Sequence, residues 1–194
     1  MRVRTLSAVA LALVLLACTV AACAAPAPSF DPTGACTADG SAPGAYPDLE
    51  ALIPSTYQER APDTLDSGRN CSGENLGTLA SAGITEVRFA GGTWGFGGNR
   101  AAALVVFQAP GLTSDAVADF YTASAKAANR TTVTGESKVT MGGQTVRRMD
   151  SSTGDRTQTV VVWPASTPDT VNIVLTNDLP DPKIEDAIAA FARP

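Results

Sequence analysis

Between Thr170 and Asn177, apolar Val171, Ile173 and Leu175 alternate with polar Asn172 and Thr176. This period of two predicts a strand with one buried face. Ala101 to Gln108 predicts another strand, through the run Leu104-Val105-Val106-Phe107, ended by Ala109-Pro110-Gly111. Ile84 to Ala90 and Thr157 to Trp163 read the same way, and Trp163 is expected in the core or at its rim. Thr132 to Met141 and Gln144 to Asp150 are separated by Gly142-Gly143, a two-residue hairpin signal. The alternation breaks between Val146 and Met149, which predicts a bulge or a strand end there.

Helical spacing appears twice at length. Thr113 or Ser114 caps a predicted helix from Asp115 to about Ala128, with Ala116, Phe120, Ala123 and Ala127 on one face, joined by Val117. Asp181-Pro182 opens a closing helix whose Ile184, Ala187, Ile188 and Phe191 form an apolar stripe. Shorter helices are expected at Asp48 to Ile53 and at Glu74 to Ala80, within and after a loop-rich segment from Cys36 to Asn70. Strands joined by short turns pair antiparallel, and amphipathic helices need a face to cover. The expected class is α+β: a single antiparallel β-sheet of about 5–7 strands with amphipathic helices packed on it.

The N-terminus changes the picture from a domain to an exported domain. Arg2 and Arg4 precede an uncharged, mostly apolar run from about Leu6 to Ala22. Its hydrocarbon-like part, Val9 to Ala17, is short against the roughly 20 residues of a membrane span. Small residues and Pro26 follow, as in a cleaved export signal. Leu15-Leu16-Ala17-Cys18 and Val20-Ala21-Ala22-Cys23 both look like a bacterial lipobox, which implies cleavage before the cysteine and a lipid on its sulfur. Cleavage before Cys23 discards Cys18 and leaves Cys36 and Cys71 as an even pair for a disulfide in an oxidising compartment. Cys23 is therefore the expected lipidation site and Cys18 the alternative. Plain secretion without lipid is the third reading. The expected organisation is a signal peptide over 1–22, a flexible proline-rich tether over 23–34 and one domain over 35–194. A Cys36–Cys71 bond contributes about 3–4 kcal/mol through loop entropy.

Charge and chemistry narrow the function more by exclusion than by assignment. Removing the signal takes away Arg2 and Arg4 and no acid, leaving the chain two units more negative than its formal −5. An acidic exported domain is a poor partner for nucleic acid. The bias to Arg over Lys and the abundance of Ala suggest a GC-rich genome. The chain has no histidine, which removes the commonest general base and every His-containing metal site or triad. No cofactor or metal is expected. Leu65-Asp66-Ser67-Gly68 faintly echoes a serine-protease loop but reads as a turn. The acids Asp63 and Asp66, and Asp178, Asp181, Glu185 and Asp186, read as turn or capping residues. A small hydrolase using carboxylates or a lone serine is thus a minor alternative. The distinctive stretch is Gly91-Gly92-Thr93-Trp94-Gly95-Phe96-Gly97-Gly98-Asn99-Arg100. One reading is a hairpin loop whose aromatics fold back on the core. The other is a flexible lip presenting Trp94, Phe96, Asn99 and Arg100 to a ligand or partner.

Leu49-Glu50-Ala51-Leu52-Ile53-Pro54, the mid-chain helix, Gly142-Gly143-Gln144-Thr145-Val146 and the closing strand and helix together resemble a loose group of uncharacterised actinobacterial cell-envelope lipoproteins. The resemblance spans about Asp48 to Phe191 and departs in the Trp94 stretch and the cysteine pair. It implies the α+β fold and the lipid anchor, and carries no activity or functional residue. The expected protein is a lipoprotein on the extracytoplasmic face of the membrane. Its domain binds a small ligand or an envelope protein without catalysis, or alternatively has a purely structural or interaction role.

Overall fold

The computed structural model describes residues 30–192. The export signal, Cys18, Cys23 and the first part of the expected tether lie outside these residues. The chain forms β1 (Gly40–Ala42), α1 (Pro47–Glu50), β2 (Thr64–Asn70), α2 (Gly73–Leu76), α3 (Thr78–Ser81), β3 (Val87–Gly95), β4 (Ala101–Gln108), α4 (Ser114–Ala127), β5 (Thr131–Met141), β6 (Gln144–Thr153), β7 (Arg156–Pro164), β8 (Thr170–Asn177) and α5 (Asp181–Ala190). All eight strands belong to one sheet, ordered β1-β2-β3-β4-β8-β7-β6-β5, with every neighbouring pair antiparallel. The α+β class with one antiparallel sheet therefore holds, but the sheet has eight strands rather than 5–7.

The topology is two four-strand meanders joined at β4 and β8. α4 carries the chain from the centre of the sheet back to its far edge, over β5, β6 and β7. Helices cover both faces, so there are two cores. One packs α1, α5, Tyr57 and Trp94 against Ala102, Leu104, Val106, Val161, Trp163 and Val174. The other packs α2, α3 and α4 against Val160, Val162, Val171 and Ile173. This corrects the expectation that β8 buries one face. Asn172, Val174 and Thr176 are buried on the α5 side as Val171 and Ile173 are on the α4 side. The run Leu104-Val105-Val106-Phe107 has the same cause, because a strand covered on both faces reads as continuously apolar.

Several elements differ from expectation for identifiable reasons. The segment read as loop before Asn70 contains β1 and β2, including Ser67, which is fully buried and donates to Glu50. Gly91 to Gly95 is strand rather than loop. Gly92 is there because the Trp94 ring lies across it: a Cβ at Gly92 would sit 2.9 Å from that ring and 3.1 Å from Ile53. The α4 stripe is rotated. Val117 and Ala118 are buried with Tyr121 half-buried, whereas Ala127 is exposed. Thr113 is its cap, accepting from the Ala116 N–H at 3.2 Å. The irregularity expected in β6 is absent. The register shift lies further along the same pair, between Val133 and Gly135, opposite Ser151 and Asp150, and Val146 and Met149 simply face opposite cores. Gly142 and Gly143 close the β5–β6 hairpin with φ of +55° and +80°, as a two-residue turn of this type requires.

Cys36 and Cys71 form the disulfide. Beside it, the Asp39 carboxylate accepts from the Cys71 N–H at 2.6 Å, the Ser72 N–H at 2.9 Å, the Ser72 hydroxyl and the Asn75 amide. The described end of the expected tether is docked rather than free. Buried Arg69 donates to the carbonyls of Gly34, Asp31 and Ala35 at 2.6, 2.9 and 3.2 Å, and its guanidinium lies 5.9 Å from the Phe30 ring.

Trp94 is fully buried and donates its indole N–H to the Arg60 carbonyl at 2.9 Å. Trp94→Ala should cost about 3–5 kcal/mol, measured by urea unfolding. A second expectation concerns Asp39. Burial raises its pKa, but the four hydrogen bonds outweigh it and bring the group from 3.8 to about 2. A depressed folded-state pKa stabilises above the unfolded value and is lost as pH falls through the folded one. Asp39→Ala should cost about 1–2 kcal/mol at pH 6, allowing for solvent screening, and the penalty should vanish between about pH 4 and 2.

Candidate functional site

The turn after β3 divides one end of the sheet between two clefts. It is short and held: the Phe96 N–H donates to the Arg100 carbonyl at 2.9 Å, and the Arg100 guanidinium returns a bond to the Phe96 carbonyl at 3.1 Å. Gly97 and Gly98 take φ of +82° and +62°, conformations that residues with a Cβ resist. Successive side chains leave this turn on different sides. Asn99 borders the cleft on the α4 face, while Phe96 and Arg100 border the cleft on the α5 face. Trp94 reaches neither, being in the core.

The α4-face cleft has a volume of about 520 Å³. It exists because the last turn of α4 is built from small residues, Ser124, Ala125 and Ala128, which leave a gap above the sheet. Its floor is apolar, from Met149, Leu175 and the Tyr121 ring, which stacks on Phe107 at 6.3 Å. Around the floor stand the amides of Asn99, Gln158 and Asn177, the hydroxyls of Thr153 and Thr157, and Arg156. Gln158 and Asn177 hold each other only loosely, at 3.4 Å. Burial pushes the Tyr121 phenol well above its usual value. Among the described residues no carboxylate lines this cleft. The arrangement complements a ligand that offers oxygens to amides, hydroxyls and one guanidinium while resting an apolar part on the floor.

The α5-face cleft, about 310 Å³, lies between the turn and the start of α5, lined by Tyr57, Phe96, Leu179 and Pro180 with Arg100 and Lys183 at its edge. Tyr57 meets Trp94 and Phe96 edge-on, each at 5.7 Å between centroids, and its hydroxyl donates to the Lys183 carbonyl at 2.9 Å. The chain turns back beside it through Gln58 and Glu59, both non-glycine residues at positive φ, +52° and +60°. Left-handed residues of this kind cost about 1–2 kcal/mol each. The Tyr57–Arg60 bridge and the bonds of Gln58 to Asp186 and Lys183 hold them in place. A third open cleft, also about 520 Å³, lies at the opposite end of the sheet around Ile84, Arg88 and Gln108.

The acids that the sequence grouped are engaged separately. Asp63 accepts from Arg60 and from the Gly95 N–H, Asp178 from Thr157, and Asp181 pairs with Arg148 at 3.0 Å. Among the described residues no group of three His, Cys, Asp or Glu side chains is placed to hold a metal, and no helix is long and apolar enough to cross a membrane. Tyr121, Gln158, Asn177, Tyr57 and Lys183 were not singled out from the sequence. Their pattern there is that of ordinary helix and strand positions, and only the fold brings them together. The chain matches no protein-family model and no curated protein.

Burial and the nearby Asp186 carboxylate together push the Tyr57 phenol from 10 up to about 12. A raised folded-state pKa stabilises fully below the unfolded value and is lost as pH rises through the folded one. Relative to Tyr57→Phe, the native chain should therefore lose stability between about pH 10 and 12. Paired chemical denaturation series across that window would test it. A constant gap would contradict the assignment.

Proposed function

We propose that the chain is an exported lipoprotein, acylated on Cys23 and held at the outer face of the cell membrane, whose domain binds a small ligand without catalysis. The observation that carries the binding reading is the α4-face cleft. Its volume lies in the usual range of ligand sites, and its lining combines an apolar floor with several amides and hydroxyls. The amide and hydroxyl lining favours a hydroxyl- or carbonyl-bearing organic molecule over a cation. The export signal, the lipobox at Cys23 and the disulfide between Cys36 and Cys71 support an extracytoplasmic setting. A protein partner is the second reading. It is favoured by the long outer strand β5, whose Thr132, Thr134, Glu136, Ser137, Lys138 and Thr140 are exposed and whose outer edge has no strand beside it among the described residues.

Mass spectrometry of the protein from its own membrane tests both halves. The denatured mass should correspond to a chain starting at acylated Cys23. The native mass should carry an additional small molecule, which Ala125→Trp, filling the cleft, should abolish while leaving the unfolding midpoint close to that of the parent. Retention of that molecule by the variant would remove the cleft from the proposal. An unmodified N-terminus would replace the lipoprotein with a secreted protein.

A further inference from the structure

We infer that the α5-face cleft is a second binding site, independent of the first, for a small freely diffusing amphipathic carboxylate. Its wall is apolar: the Phe96 ring, Leu179 and Pro180 offer a surface for a hydrocarbon or aromatic body. Its edge is cationic, with Arg100 from the turn and Lys183 from the first turn of α5, both exposed. None of the ion pairs among the described residues uses either cation. Arg100 and Lys183 thus stand together beside one apolar cleft, with no ion-paired acid between them among the described residues.

The acids nearby are committed elsewhere. Asp63 holds Arg60 and the Gly95 N–H, and Asp181 holds Arg148. Asp186 accepts from the Gln58 amide nitrogen at 2.8 Å, and the oxygen of the same amide receives the Lys183 ammonium. Gln58 thus stands between Lys183 and Asp186, whose carboxylate keeps its charge on the Tyr57 side of the cleft. Lys183 keeps two of its three donors for another acceptor, and Arg100 spends one of its nitrogens on the Phe96 carbonyl. The lining complements an anion with an apolar body. Its size, about 310 Å³, suits a small acid.

The test uses 4-phenylbutanoate, 4-phenylbutanol and 4-phenylbutylamine, which share one body and differ in head group, added to the full-length protein and followed by backbone amide NMR shifts. The carboxylate should shift the amides of Phe96, Arg100 and Lys183 and bind about tenfold more tightly than the alcohol. That preference should shrink as salt is raised. Arg100→Gln combined with Lys183→Gln, both at exposed positions, should reduce the carboxylate to the level of the alcohol, while in the ligand-free variant shift changes stay confined to the turn from Phe96 to Arg100 and to Gln58 and Lys183, whose bonds the substitutions remove. Equal binding of acid and alcohol, tighter binding of the amine, or shifts confined to Tyr121 and Gln158 on the other face would each overturn the proposal. So would shifts at Phe96 and Arg100 that appear with phosphatidylglycerol vesicles and not with the free acid, since the occupant would then be a membrane lipid.

Discussion

The pairing of β4 with β8 is the constraint on which the rest of the structure depends. It runs from Ala101 opposite Asn177 to Gln108 opposite Thr170 and joins two meanders that are each local in sequence. The strands it unites lie far apart along the chain, so the connection must leave the centre of the sheet and return at its edge. α4 makes that journey over β5, β6 and β7. Covered by α4 on one side and α5 on the other, the middle strands bury both faces. This is why Leu104, Val106, Ile173 and Val174 are all sealed from solvent. It is also why both clefts fall where they do. The covering helices reach one end of the sheet incompletely, and the turn from Phe96 to Arg100 projects there between them.

A sheet buried on both faces must satisfy its polar side chains internally. On the α5 side this need fixes the helix. Arg148 forks onto Asp150 at 2.8 and 3.1 Å and reaches Asp181 at 3.0 Å, while Thr159 donates to Asp150 at 2.7 Å. The hydrogen bonds from Arg148 to Asp150 and Asp181 raise the guanidinium pKa further, against the effect of burial. Asp181 stands at the first turn of α5, so this network ties the start of the helix to β6. Leu179, Pro180 and Lys183, on the α5 side of the cleft, thus adjoin a charge network that reaches back to β6.

What the sequence revealed and concealed follows the same logic. β4, β8, the Gly142-Gly143 hairpin and the stripe of α5 were legible because each expresses a local rule: an apolar run, an alternation, a turn chemistry or a helical spacing. β2 was hidden because Thr64 to Asn70 carries polar residues whose partners lie elsewhere. Ser67 answers Glu50 and Tyr46, and Arg69 answers the carbonyls of the N-terminal segment. Gly91 to Gly95 was hidden because glycine signals both flexibility and close approach, and only the position of the Trp94 ring decides between them. Of the site, Phe96, Asn99 and Arg100 stood out as large or charged residues among glycines. Tyr121 and Lys183 did not, since nothing local distinguishes a helical tyrosine over a gap from one over a filled core.

The two clefts lie on opposite faces of one sheet, so a molecule in one does not touch a molecule in the other. They nevertheless share the turn from Phe96 to Arg100. Its backbone is closed by the Phe96–Arg100 bonds and tethered at Gly95 by Arg60 at 2.8 Å and Asp63 at 2.7 Å. Beneath it, Trp94 and Tyr57 pack edge to face. Asn99, which borders the α4-face cleft, follows the left-handed glycines at positions 97 and 98 and adjoins Arg100, which with Phe96 borders the other cleft. Any energetic connection between the two faces at this end of the molecule therefore has its shortest covalent route through these five residues.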